Sequence, residues 1–156
     1  MSIVESSSHG RRLEDFSDFE PAGLMNVYRD QTCNYMTCKK IYHISLFNNS
    51  REAAGASLNY PHSQLLPFHF VLLRFKGKLK LSGKGKNVPI VQSLILKKLL
   101  PDLHLKNNKY VAFAPFYSMV PFEVWILSRK YVNFLEDGDE ELLFALDDIF
   151  ISVLRS

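Results

Sequence analysis

Residues 47–64 read Phe47-Asn-Asn-Ser-Arg-Glu-Ala-Ala-Gly-Ala-Ser-Leu-Asn-Tyr-Pro-His-Ser-Gln64, the stretch densest in reactive and hydrogen-bonding side chains. Gly55 and Ala56 permit the close backbone approach that a phosphate requires. Asn49, Ser57 and Gln64 add uncharged hydrogen-bond partners around it. His62, held by Pro61, can attack through one ring nitrogen while a hydrogen bond fixes the other. A lone histidine beside proline also serves purely structural ends, and the residues by themselves leave both readings open.

Outward from this stretch, strands and helices alternate without a regular βαβ rhythm. Residues 41–47 and 57–68 flank and include it as strands. Upstream, residues 2–5 are a strand-like run starting almost at the first residue, so sequence is expected to be missing before it. Ser17 to about Arg29 has helical spacing at Leu24, Val27 and Tyr28, with Ser17 and Glu20 as a capping pair and Pro21 in the first turn. Downstream, residues 88–100 read as a helix stopped by Pro101. Residues 109–116 and 122–128 are two strands joined by a turn around Pro121. The acidic run 136–141 then opens a helix with an apolar stripe at Leu142, Leu143, Leu146, Ile149, Phe150 and Val153. Its acidic start suits the positive end of the helix dipole. The class is α+β, with a mostly antiparallel sheet of about five strands and flanking helices.

The whole-chain numbers narrow the field. At 156 residues, 47% apolar and 22% charged, this is an ordinary globular chain that can bury a core without disulfide staples. Twelve Phe and seven Tyr enrich it in residues that fill sheet faces and pockets. A net charge of +3 is too small to point to nucleic acid. No apolar run is long enough to cross a bilayer, and no secretion signal opens the chain. With two cysteines, Cys33 and Cys38, there is no disulfide framework, so a cytoplasmic protein is expected. Residues 74–86 alternate Lys with Leu and Gly and hold one aromatic, Phe75; they read as a solvated basic loop rather than a nucleic-acid surface.

Asn49, Gly55, Ser57, Tyr60, Pro61, His62 and Gln64 also fall, without a gap, on Asn-x5-Gly-x-Ser-x2-His-Pro-His-x-Gln. That pattern resembles the signature of the galactose-1-phosphate uridylyltransferase family, a branch of the histidine-triad superfamily. Residues 110–127 are similar to the family's second-domain hairpin, and Val124-Trp-Ile-Leu127 is closest in wording to the branch acting on ADP-glucose. Residues 3–9, followed by a helix, match a strand–His–helix stretch. The resemblance implies a histidine-triad-like fold. It implies a nucleotidyltransferase that moves a nucleoside monophosphate between a nucleoside diphosphate sugar and a sugar 1-phosphate (or phosphate) through a nucleotidyl-histidine. In that reading His62 is the nucleophile, Gln64 and Ser57 bond the phosphoryl oxygens, and Asn49 and Gly55 shape the loop. Glu123 is a sugar-side contact or, equally, an exposed strand carboxylate.

The departures from the pattern carry expectations too. The family's structural zinc takes two upstream cysteines, a histidine before the helix and the first histidine of His-Pro-His. His9 fits one position, Tyr60 replaces another, and Cys33 and Cys38 are spaced unlike a zinc knuckle. No cofactor or metal is therefore expected. The chain is also shorter than family members. It reads as residues 1–72, the later part of a first half with the nucleophile motif; 73–87, a basic linker; and 88–156, the early part of a second half. Two incomplete halves imply a homodimer. The rival expectation is a non-catalytic remnant that binds nucleotide or a partner chain.

Overall fold

The computed structural model describes residues 1–8, 10–16, 23–38, 40–51, 54–56, 60–70, 103–115, 118, 120–130, 132 and 135–156. The fold is α+β. Two units, Met1–Leu72 and Leu73–Ser156, each hold a three-stranded antiparallel sheet and an α-helix among those residues. The expected sheet of about five strands is thus corrected to two sheets of three. Strands pair within their own unit, and a strand that patterning had not shown completes the second sheet.

In the first unit, β1 (Ser2–Val4), β2 (His43–Asn48) and β3 (His62–Phe68) lie in the order β1-β3-β2. The register sets Val4 opposite His62 and Asn48 opposite Ser63. Pro61, with no N–H to give, stands just ahead of β3, which begins one residue later. Pro67 falls beyond the mutual hydrogen bonds of Met1 and Leu65, so its missing donor costs no bond to β1. Helix α1 (Leu24–Met36) buries Met25, Tyr28 and Thr32, an i, i+3, i+7 face. It starts at Leu24, the first of the apolar positions and well after the Ser17 expected as its cap, and runs past Arg29. Gly23, at φ 123°, takes the N-cap position without a side-chain bond. Ser17, Glu20 and Pro21 lie outside the described residues.

The second unit contains β4 (Leu103–Lys106), β5 (Tyr110–Phe113) and β6 (Trp125–Ser128) in the order β4-β5-β6. Asn107 makes the β4–β5 turn: its Oδ1 accepts from the N–H of Lys109 (3.0 Å) and Tyr110 (2.8 Å). Its amide donates to the Ala145 carbonyl at 2.7 Å, tying the turn to α2 (Glu140–Arg155). Asp139 caps α2 by accepting from the Leu142 N–H at 2.8 Å, so the helix starts late in the acidic run rather than at its head. Tyr110, Ala112, Leu142 and Ile149 form the core, with Leu146 and Val153 packed against it. Phe150 is only partly buried; Ile151 is buried instead. Burial, and then the Asp139 carboxylate, push the Tyr110 phenol up to about 12. The helix read at 88–100 and the basic segment 73–87 lie outside the described residues. No helix among the described residues is long and apolar enough to cross a membrane.

Candidate active site

Alternation along β3 divides its side chains between two faces. Ser63 and Leu65, at 2% and 0% exposure, face α1, where the Ser63 and Tyr28 hydroxyls hydrogen-bond at 2.7 Å. His62 and Gln64 share the other face, beside Val4 of β1 and Phe47 of β2. His62 therefore starts the strand on the opposite side from the helix.

The His62 ring is buried, and both its nitrogens have neighbours. Nδ1 lies 3.0 Å from the carbonyl oxygen of Tyr60. A carbonyl only accepts, so Nδ1 carries the proton and Nε2 keeps its lone pair. The Gln64 amide donates toward that lone pair at 3.5 Å. Tyr60 thus takes part through its main chain, and the identity of its side chain does not enter the contact.

Of the other residues singled out by sequence, Asn49 follows β2 directly and is half-buried. Gly55 adopts φ +83°, and among the described residues a Cβ there would meet Asn49 Nδ2 at 3.9 Å. The left-handed backbone by itself favours glycine there. The loop folds back on Arg51, whose carbonyl accepts from Ala54 and Ala56 at 3.1 Å each. Ser57 and His9 lie outside the described residues.

Glu123 belongs to the second unit. It lines an open recess of about 410 Å³ with Ala114, Ser118, Val120, Pro121 and Phe122. Its carboxylate accepts from Trp125 Nε1 at 2.8 Å and from Ser118 Oγ at 3.3 Å, so it is held rather than free at the surface. Phe122 beside it is fully exposed at φ 61°. Residues 122–124, expected within the last strand, precede it instead, because this left-handed residue breaks the extended run.

His9, which the resemblance sets at a zinc-ligand position, lies outside the described residues. Among the described residues, no three His, Cys, Asp or Glu side chains converge as a metal site needs. Cys33 sits on α1, Cys38 is exposed beyond its end, and Tyr60 offers a phenol where zinc prefers nitrogen or sulfur.

A polar cluster behind the strand went unread in the sequence. The Glu5 carboxylate accepts from the hydroxyls of Tyr28 and Ser63 and from Asn48 Nδ2, the last at 3.2 Å. The period-2 pattern of residues 2–5 carried the signal: it puts Glu5 on the same face as Ile3. A carboxylate on an inward face needs donors.

No protein-family model matches the chain. Two curated proteins do. The galactose-1-phosphate uridylyltransferase of Thermotoga maritima is 25% identical over 143 residues, which is 89% of this chain and 45% of that protein. The ADP-glucose phosphorylase of Arabidopsis thaliana is 24% identical over 141 residues, 88% of this chain and 39% of that protein. The chain is thus similar to a galactose-1-phosphate uridylyltransferase and an ADP-glucose phosphorylase over most of its own length. It spans less than half the length of these two relatives. Among solved structures, a GalT-like protein from Arabidopsis thaliana matches with a TM-score of 0.85 at 21% identity, covering 99% of this chain and 52% of its own. The α+β fold of this chain is therefore one already seen in solved proteins.

Proposed function

We propose that this chain is a nucleotidyltransferase of the galactose-1-phosphate uridylyltransferase type, with His62 as its nucleophile. The observation that carries the reading is the 3.0 Å bond between His62 Nδ1 and the Tyr60 carbonyl, which leaves Nε2 as the free base. The names of the two curated relatives support it.

The Nε2 lone pair attacks the α-phosphorus of a nucleoside diphosphate sugar. The bond from phosphorus to the bridging oxygen breaks, and sugar 1-phosphate leaves with its electron pair. The nucleoside monophosphate stays on Nε2 by a P–N bond. The imidazole then carries positive charge, and its Nδ1–H bond to Tyr60 strengthens to stabilise it. A phosphate oxygen of the acceptor attacks the same phosphorus next, the P–N bond breaks, and the lone pair returns to Nε2. Gln64 is placed to turn its amide from Nε2 to a phosphoryl oxygen. The resemblance assigns Ser57 to the phosphoryl oxygens as well, and Asn49 and Gly55 to the shape of the loop. Neutral donors stabilise the growing charge at phosphorus without pairing with the base. At 3% exposure His62 is covered, so phosphorus reaches it only as neighbouring groups yield. A sugar-side role for Glu123 rests on the resemblance alone; within its own unit Trp125 and Ser118 hold its carboxylate. No cofactor takes part, the assembly is a homodimer, and the compartment is the cytoplasm.

Incubation with UDP-glucose or ADP-glucose radiolabelled at the α-phosphate should label the chain, and His62→Ala should abolish the label. The second reading, a non-catalytic remnant, draws on the chain covering only 45% and 39% of its curated relatives. Stoichiometric donor binding with no label from either nucleotide would favour it.

A further inference from the structure

The three carbonyls leading into β3 each have a dedicated donor. Tyr60 O accepts from His62 Nδ1 at 3.0 Å, Pro61 O from the Glu5 N–H at 3.0 Å, and His62 O from Asn48 Nδ2 at 2.9 Å. Asn48 is the last residue of β2 and His62 the first of β3, so the sheet ladder is running out where the reactive ring is mounted. There a side-chain amide donates in place of a main-chain N–H. Its second contact is Glu5 Oε2, at 3.2 Å. The carboxylate is an acceptor only, so it holds Asn48 with nitrogen, not oxygen, toward the His62 carbonyl. Glu5 is itself fixed twice: its N–H binds Pro61, and its carboxylate takes the Tyr28 and Ser63 hydroxyls.

We propose that Asn48, oriented by Glu5, is a positioning residue for the His62 imidazole. The pair fixes the backbone from Tyr60 to His62 from behind the sheet, and with it the Nδ1–H bond that leaves Nε2 ready to attack. Neither side chain touches the ring, and Asn48 holds the ring's own residue only by its carbonyl. The proposal rests on His62 being the nucleophile.

The perturbation is Asn48→Ala in the full chain, read in two ways. Single-turnover labelling from α-labelled UDP-glucose and ADP-glucose should slow about a hundredfold, as a displacement of roughly 1 Å would cause. The half-saturating donor concentration should stay within about twofold, because the change acts on ring geometry rather than on donor contacts. Long-range ¹H–¹⁵N spectra of the imidazole should show one Nδ1–H tautomer in the wild type and a mixture in Asn48→Ala. Tyr42→Phe, at an exposed side chain outside the Asn48 and Glu5 contacts, should keep its labelling rate within about threefold. Labelling at the wild-type rate by Asn48→Ala, or an unchanged single tautomer, overturns the proposal. Should Asn48→Ala fail to fold, Glu5→Gln takes its place, with the same expected loss and the same overturning result. If the wild type takes no label at all, the nucleotidyltransferase reading fails, and the tautomer comparison still decides whether Asn48 positions the ring.

Discussion

Tyr28→Phe isolates the hydroxyl at the centre of the cluster behind β3 and keeps the ring that packs there. Tyr28 is 3% exposed, and its oxygen meets both Glu5 and Ser63. A hydrogen bond to a charged group contributes about 1.5–3 kcal/mol net. Glu5 keeps two other donors, Ser63 and Asn48, so the low end applies, and the cost should be about 1.5 kcal/mol. For a unit of this size that lowers the melting temperature by roughly 6–12 °C. Tyr42→Phe is the matched control: Tyr42 is 65% exposed, and its cost should be close to zero. Ser63→Ala and Tyr28→Phe should be non-additive, since both hydroxyls serve Glu5 Oε1, with a coupling of about 0.5 kcal/mol or more. The sole tryptophan, Trp125, lies in the second unit, so its fluorescence does not follow this cluster. Amide exchange along β3, with thermal melts by circular dichroism, reads it. A Tyr28→Phe melt indistinguishable from that of Tyr42→Phe would refute the view that this cluster holds the strand.

Asn107→Ala should cost about 2 kcal/mol, because the turn loses two main-chain acceptor contacts and its tie to Ala145; denaturant unfolding followed by Trp125 fluorescence measures it, and an unchanged midpoint would contradict it. Elemental analysis of protein purified without added metal should find well under one zinc per chain; one tightly held zinc would point to Cys33 and Cys38 as ligands. Light scattering should show a homodimer at micromolar concentration, and a stable monomer would count against it.

Much of the fold could be read because periodicity reports which side of an element is buried. Strand-like runs at residues 2–5, 41–47 and 109–116 marked strands, the last of them ending at Phe113, and the 3.6-residue stripe from Leu142 to Val153 marked α2. Pairing was harder to read. Strand candidates counted along a chain do not say which of them share a sheet, so two sheets of three looked like one of five. Strand β4 was missed because it has four residues, too few for alternation to stand out. The start of α1 was misplaced because its N-cap is Gly23, which binds nothing through a side chain.

The candidate site divides the same way. His62 and Gln64 were legible as residue types at a spacing, and β3 puts them on one face. Glu5, Tyr28 and Asn48 were not, because they lie 57, 34 and 14 positions from His62. Nothing short of the sheet register brings them together. The hold of Trp125 on Glu123 was missed for a different reason: it needs the left-handed Phe122, a conformation that no side-chain pattern announces.

The most direct test of the central claim is the intact mass of the protein after brief exposure to UDP-glucose or ADP-glucose without acceptor. One nucleoside monophosphate should add per chain, map to the peptide carrying His62, survive hydroxylamine and be lost in acid, as a P–N bond is. Glucose 1-phosphate or inorganic phosphate should then discharge it and regenerate a nucleotide product. A mass that does not change with either donor, or an adduct that maps to any residue other than His62, would contradict the account.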